Sequence, residues 1–343
     1  MPVNATNLGS ALPVMRRDAI MSYAASVSGG EQSRADAANM WLETELEEQN
    51  QRVYRKKYAQ LKFAAGLVIP IRATVSRGKK TGSYKMFSHR GMAKWLTTGA
   101  WKDIPRASTE ADRKYFQVRE YGIGYGWEFG EMEEAQATNT PLAAEEAFAA
   151  KRGSEQFLND VSAHGDDKVG IHGFLNLPNM TVIDAAPNGS GTHRWSTLGA
   201  NAKTALEMKE DIDLLKRTMR AATNNVEKIT RVWLPPSFWE RTTSVVIPGT
   251  AKTAREFIRE TFPEIVFDEL DELETAGTYG GPCIMASAVT GPEDIWIEAP
   301  IQYEVHGPFQ DGLSWNQIAR SSTGGVITPY PQALLRMDFP EDA

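Results

Sequence analysis

Cysteine is nearly absent: the 343-residue chain carries one, Cys283. A lone thiol cannot close an internal disulfide, and it lacks the partner spacing of a zinc or iron–sulfur site. The chain reads as a product of a reducing cytoplasm. Long apolar runs are missing as well. The longest extends from about Phe63 to Ile71, far short of the roughly 20 residues that cross a bilayer. The N-terminal segment holds Arg16, Arg17 and Asp18 but no apolar signal-peptide core. No membrane or secretory role is expected. Positive charge is in the minority, 37 Lys and Arg against 44 Asp and Glu for a net −7, which argues against a dedicated DNA-binding protein with a basic face. What the chain has is length. It is long enough for about two domains and a core that removes roughly three quarters of the unfolded surface from water.

The average charge hides an asymmetry. Between Leu61 and Ser108 lie ten basic residues (Lys62, Arg72, Arg77, Lys79, Lys80, Lys85, Arg90, Lys94, Lys102 and Arg106) and one acid, Asp103, a charge of +9 that leaves −16 for the rest. Much of the negative charge follows Ala254, in the clusters around Asp268 to Glu274 and Glu293 to Glu298. Opposite charges on separate segments suit head-to-tail self-association, and equally two solvated faces of one monomer.

Residues 1–33 read as a weakly ordered arm. A helix is expected from Asp36, with glutamates early and Arg52 to Lys57 late, matching the helix dipole. Strands are expected at 68–71, 74–76 and 84–87, with Gly78-Lys79-Lys80-Thr81-Gly82 as the tip of a long cationic hairpin. In Tyr121-Gly122-Ile123-Gly124-Tyr125-Gly126-Trp127, alternate glycines leave one strand face without side chains, so another element can approach. This string has neither the G-x-G-x-x-G spacing nor the P-loop lysine of a nucleotide site. Thr140-Pro141 opens a long helix, capped by threonine, whose stripe of Ala143, Ala147, Ala150, Ser154, Phe157 and Val161 is small in its first half and bulky in its second.

Beyond Gly170 helices and strands alternate. Met208, Ile212, Leu215, Met219 and Ala222 mark an amphipathic helix. A shorter helix runs from a Thr250 cap to Pro263. Strands are expected at 231–234, 265–267, 283–286, 295–297, 301–305 and 318–319, and the runs 324–327 and 333–335 finish the chain. The fold class is α+β.

Nothing nominates an active site. His164, Asp166, Asp167 and His172 are metal-ligand types within nine positions, yet they lack the i,i+4 geometry of H-E-x-x-H. A helix-terminating turn explains them as well, with His164 at the negative end and the aspartates capping amides. No nucleophile elbow is present. Cys283 reads as a strand residue entering a core. Tyr84, Phe87, Trp95 and Trp101 interleave the basic 62–106 segment, which keeps a nucleic-acid-binding reading open.

Several strings are familiar together. Gly91-Met92-Ala93-Lys94, Asp103-Ile104-Pro105-Arg106, Tyr121 to Gly126 and Glu131-Met132-Glu133-Glu134-Ala135-Gln136 resemble the major capsid proteins of tailed double-stranded DNA bacteriophages. The likeness continues through Gly165-Asp166-Asp167, Gly170 to Asn179, Ile318-Ala319-Arg320, Gly324 to Ile327 and Pro331. It spans about Glu45 to Pro331. The resemblance implies a Hong Kong 97-like fold. Its parts would be an N-terminal arm (1–66), an extended E-loop hairpin (67–107) and a peripheral domain (108–168) with a spine helix at about 141–163. An axial domain (169–299), peripheral return strands (300–322) and a C-terminal segment (323–343) would follow.

The implied function is structural: self-assembly as hexamers and pentamers into an icosahedral shell around phage DNA. Arg72, Arg77, Lys79, Lys80 and Lys85 on the E-loop would contact an acidic surface of the next subunit. No enzyme activity, cofactor or metal is expected. Expected partners are other copies of the chain, a separate scaffolding protein, a portal, and DNA touched non-specifically. The place would be the virion, after assembly in the host cytoplasm. The alternatives are an encapsulin-like cargo shell and, from a different class, a nucleic-acid-binding protein.

Overall fold

The computed structural model describes residues 56–95, 104–138, 141–199, 201–289, 291 and 293–341. The expected arm and the helix from Asp36 lie almost wholly outside these residues.

Thirteen strands and five α-helices follow in order among the described residues. A short β1 (Ile71–Arg72) precedes two long strands, β2 (Thr81–Arg90) and β3 (Ser108–Gln117). Then come β4 (Arg119–Glu128), α1 (Phe129–Ala137) and α2 (Leu142–His164). The C-terminal part holds β5 (Thr181–Asp184), α3 (Ala205–Ala222), β6 (Arg231–Leu234), α4 (Pro236–Ser244), α5 (Ala254–Thr261) and β7 (Val266–Glu269). It closes with β8 (Cys283–Ser287), β9 (Trp296–Glu298), β10 (Ile301–Asp311), β11 (Ser314–Thr323), β12 (Gly325–Ile327) and β13 (Leu334–Asp338).

Four sheets result: β5-β13-β8-β6-β7, β10-β11-β4, β1-β9-β12, and the isolated pair β2-β3. The five-stranded sheet is buried on both faces, and its alternation sorts side chains between two cores. Val232, Leu234, Ile284, Ala286, Leu335 and Met337 point to one core, which α3, α4 and α5 complete with Met208, Ile212, Leu215, Phe238 and Ile258. Trp233, Cys283, Met285 and Leu334 point to the other, together with Phe63, Ile69, Leu158, Phe174 and Ile297. Each large side chain so buried contributes about 1.5–3 kcal/mol. Trp195, fully buried, stacks on Phe238 with ring centroids 5.3 Å apart. Its indole donates to Asp211 at 2.7 Å, and Lys203 meets the same oxygen at 2.7 Å. Burial pushes the Asp211 carboxyl up, while Lys203 pulls it back.

The caps explain why the helices start where they do. Thr204 and Thr253 each open a helix through a capping box with a glutamate three residues on, Glu207 and Glu256. The short helix therefore begins at Thr253, not at the expected Thr250. Pro235-Pro236, expected only to close a strand, also starts α4, because proline suits the first helical position. The long helix matches the expected span to one residue at each end. Thr140, its expected cap, lies outside the described residues.

The sheet β10-β11-β4 carries α2 on one face. Tyr121 packs at a tilt against Phe157 with ring centroids 4.6 Å apart, and Ser154 meets Ser321 at 3.2 Å. Burial raises the Tyr121 phenol above its ordinary value. The glycine alternation of β4 works differently from expectation. The helix packs against the face bearing Tyr121 and Ile123, and the close approach is made by a helix glycine: a Cβ on Gly153 would stand 2.9 Å from Ile123 Cδ1. Gly122 and Gly124 face outward and are exposed.

Candidate functional site

The pair β2-β3 is a ten-residue antiparallel ladder from Thr81↔Gln117 to Arg90↔Ser108. This moves the hairpin relative to the sequence expectation. Gly78 to Gly82 is the base, not the tip, and the far end of the ladder is the pair Arg90↔Ser108. The reason is the partner strand: β3, Ser-Thr-Glu-Ala-Asp-Arg-Lys-Tyr-Phe-Gln, has almost no apolar alternation to announce it. The hairpin thus extends to Gln117, past the expected boundary at 107.

Apart from Gly82 and the half-buried Tyr84, Met86 and Phe116, every hairpin strand residue is exposed. The large apolar side chains are uncovered: Phe87 is 62%, Tyr115 70%, Met92 81% and Trp95 99% exposed. Its charges are only partly balanced. Arg90 approaches Glu110 at 3.6 Å and Lys114 approaches Asp112 at 2.8 Å, both in solvent. Lys114 holds the Asp112 carboxyl below its ordinary value. Lys85 sits directly across from Arg113, a like-charge pair that costs the isolated hairpin stability.

The five residues expected to make inter-subunit contacts separate into two places. Lys79 and Lys80 lie exposed at the hairpin base, Lys85 is exposed on β2, and Arg77 reaches Glu304 of β10 at 3.5 Å. Arg72 is not on the hairpin. It lies half-buried in β1, paired in parallel with Glu298 of β9, its guanidinium 5.9 Å from the Trp296 ring centre. Lys62, at the start of the basic segment, is spent within the chain, donating to the Glu269 carbonyl at 2.8 Å and meeting Asp271 at 3.4 Å. Tyr115, Glu110 and Asp112 were missed in the sequence because β3 was not legible.

The other candidates do not assemble into chemistry. His164 Nδ1 stands 3.2 Å from Asp160, one turn back on α2. Asp166 accepts the Lys168 N–H at 3.0 Å and Asp167 faces the Asn176 amide at 3.4 Å. The expected backbone capping is met by Asp166 alone, since Asp167 takes a side-chain amide, and His164 is the last residue of α2, at its negative end as expected. Among the described residues no group of three or more His, Cys, Asp and Glu could hold a metal. Cys283 is buried, its thiol pushed up to about 12 by burial. Among the described residues no helix is long and apolar enough to cross a membrane.

The described residues thus combine a hairpin that carries bare aromatic side chains with a body built around two buried cores. The family model of the major capsid protein matches residues 91–339. The chain belongs to the major capsid protein family. No curated protein sequence matches it. Among solved structures, a chain from the capsid of Myoviridae phage XM1 superposes with a TM-score of 0.69 at 15% identity, covering 86% of this chain and 97% of that one. A chain from the capsid of a native GTA particle gives 0.58 at 10% identity, over 86% and 96%. One from Microbacterium phage Oxtober96 gives 0.57 at 9% identity, over 91% and 100%. At these identities the likeness is one of fold, shared along almost the whole length of each relative. The capsid protein is a structural component of a capsid shell.

Proposed function

We propose that the capsid protein closes, as hexamers and pentamers, into an icosahedral shell around double-stranded phage DNA, and that the β2-β3 hairpin is its principal reach toward the neighbouring copy. The observation carrying this reading is the exposure of Phe87 and Tyr115 on a two-stranded ribbon and of Met92 and Trp95 in the segment just beyond it. An isolated ribbon of this kind is marginal in water, so its apolar surface is better accounted for by a partner. Lys79, Lys80 and Lys85, with Arg77 at the base, add positive charge that suits an acidic neighbour surface. Arg72 is left out of this contact because it is committed to β9. Closure then multiplies modest interfaces through effective concentration.

A separate scaffolding protein, a portal and non-specifically touched DNA complete the proposed set of partners, with assembly in the bacterial cytoplasm. The protein needs no catalytic group for this role. Electron microscopy of the purified protein, with light scattering to count subunits, tests the reading. Closed shells of hundreds of copies are expected. A stable monomer that also binds DNA tightly, with a steep loss of affinity as salt rises, would overturn it.

A further inference from the structure

Glu298 is fully buried, and nothing in the assembly reading so far uses it. It is the last residue of β9. Its Oε1 accepts the backbone N–H of Thr74 at 2.7 Å and of Val75 at 2.9 Å. Its Oε2 accepts the Thr74 hydroxyl at 2.5 Å and the Trp296 indole N–H at 2.9 Å. All four donors are neutral groups, and three belong to the segment that leads from β1 into the hairpin. A buried carboxylate satisfied this way keeps its hydrogen bonds only while the donors stay in place, so carboxylate and segment fix each other.

The main chain of the same residue holds the other side of the base. The Glu298 carbonyl accepts the N–H of Gly324 at 2.8 Å and the Thr323 hydroxyl at 3.1 Å. Gly324 in turn lies against the outgoing end of β3: a Cβ there would stand 3.1 Å from the Gln117 carbonyl and 3.2 Å from Glu298 Cβ. Val118, the next residue, is buried and donates its N–H to the Lys80 carbonyl at 2.8 Å, closing the base. Both sides of the hairpin base are therefore set against one residue, the incoming segment by its carboxylate and the end of β3 by its main chain through Gly324.

We infer that Glu298 is the positioning residue of the hairpin: it fixes the direction in which β2-β3 leaves the body, so that the hairpin meets a neighbouring copy already aimed. The inference rests on the proposed hairpin contact. Leverage makes it matter. Ten residues of strand extend about 33 Å, so a 10° error at the base displaces the tip by about 6 Å. Apolar contact is lost beyond about 4.5 Å. Preset direction also lowers the ordering cost of association.

The test places spin labels on the full chain at Met92→Cys in the hairpin and Lys228→Cys on the body to read the distance in the unassembled protein, with the buried Cys283 left in place, and reads particle yield on unlabelled chains that keep Met92. A narrow distance distribution is expected in this background. Glu298→Ala should broaden or shift it by about 5 Å or more, on the leverage above, and lower particle yield about tenfold. Glu298→Gln, which keeps one acceptor oxygen, should recover part of both. A Glu298→Ala chain with the unaltered narrow distribution would overturn the inference. So would a broadened distribution with full particle yield, since the aim would then be irrelevant to assembly. If Glu298→Ala does not fold, Thr74→Val removes one donor and leaves three, and an unshifted distribution there counts against the clamp. Failure of the unlabelled wild-type protein to form particles would strike the proposed function, while the distance measurement still decides the clamp.

Discussion

The five-stranded sheet and the β2-β3 hairpin are both β-structure, yet they are held by opposite means. In the sheet, β8 is buried at every position, and the inner strands β6, β8 and β13 send side chains into both cores. In the hairpin, ten cross-strand pairs are made, but Phe87, Tyr115 and the charged side chains face solvent and a like-charge pair sits mid-ladder. The body is stabilised by what it buries within one chain. The hairpin is held at its base and leaves most of its side chains in solvent. In the proposed shell the body keeps its shape while the hairpin surface gains its stabilisation on assembly.

Thiol reactivity should separate the two regions most widely. Cys283 stays neutral at pH 8 because burial pushes it up to about 12, and only an opening of the body exposes it. A cysteine introduced at Lys85 should react with maleimide at least about 10³-fold faster, the ratio set by the opening equilibrium. Equal rates would mean that the body is not closed. The same shift has a signed consequence. As pH rises from about 9 to about 12, the unfolded chain loses this proton first, so stability falls across that window.

Truncation sharpens the contrast in energy. Trp195→Ala removes a fully buried indole and should cost about 3–5 kcal/mol in denaturant unfolding. Phe87→Ala on the hairpin should leave unfolding within about 0.5 kcal/mol of wild type and still reduce particle yield. If both cost the same in the monomer, the hairpin is not the uncovered region the structure describes.

On the spine helix, Ala150 is 3% exposed and has no room to grow, so Ala150→Phe should cost about 1–3 kcal/mol. An unaltered melting temperature would show that this face is open. Smallest in the monomer is the double change of Lys79 and Lys80 to Glu. Exposed charges at the hairpin base should move monomer stability by less than about 0.5 kcal/mol. Particle formation should fall, and a full yield after this reversal would remove these lysines from the contact.

Where burial wrote a pattern into the residues, the elements were legible. α3 followed its apolar stripe, β6 and β8 their short apolar runs, and α2 its span to within a residue at either end. β3 and α1 were not legible, because neither buries a patterned face. All of β3 is exposed but for the half-buried Phe116, and no residue of α1 is buried. With no pattern to mark β3 as the partner strand, the glycines at 78 and 82 read locally as a turn tip, although the ladder places them at the base. The basic character of the segment was plain from composition. Its division between hairpin, base and body was not, and Arg72 and Lys62 turned out to serve the body.

The residues alone determined that this chain has a large unstapled core, a long amphipathic spine and a concentrated positive segment, since apolar periodicity and charge are local properties. The tertiary structure decided where the hairpin begins, which cations lie on it and which on the body, and that Glu298 meets Thr74. Pairings across more than two hundred residues depend on chain topology, and a glutamate destined for a sealed polar clamp has the same local signature as one destined for water.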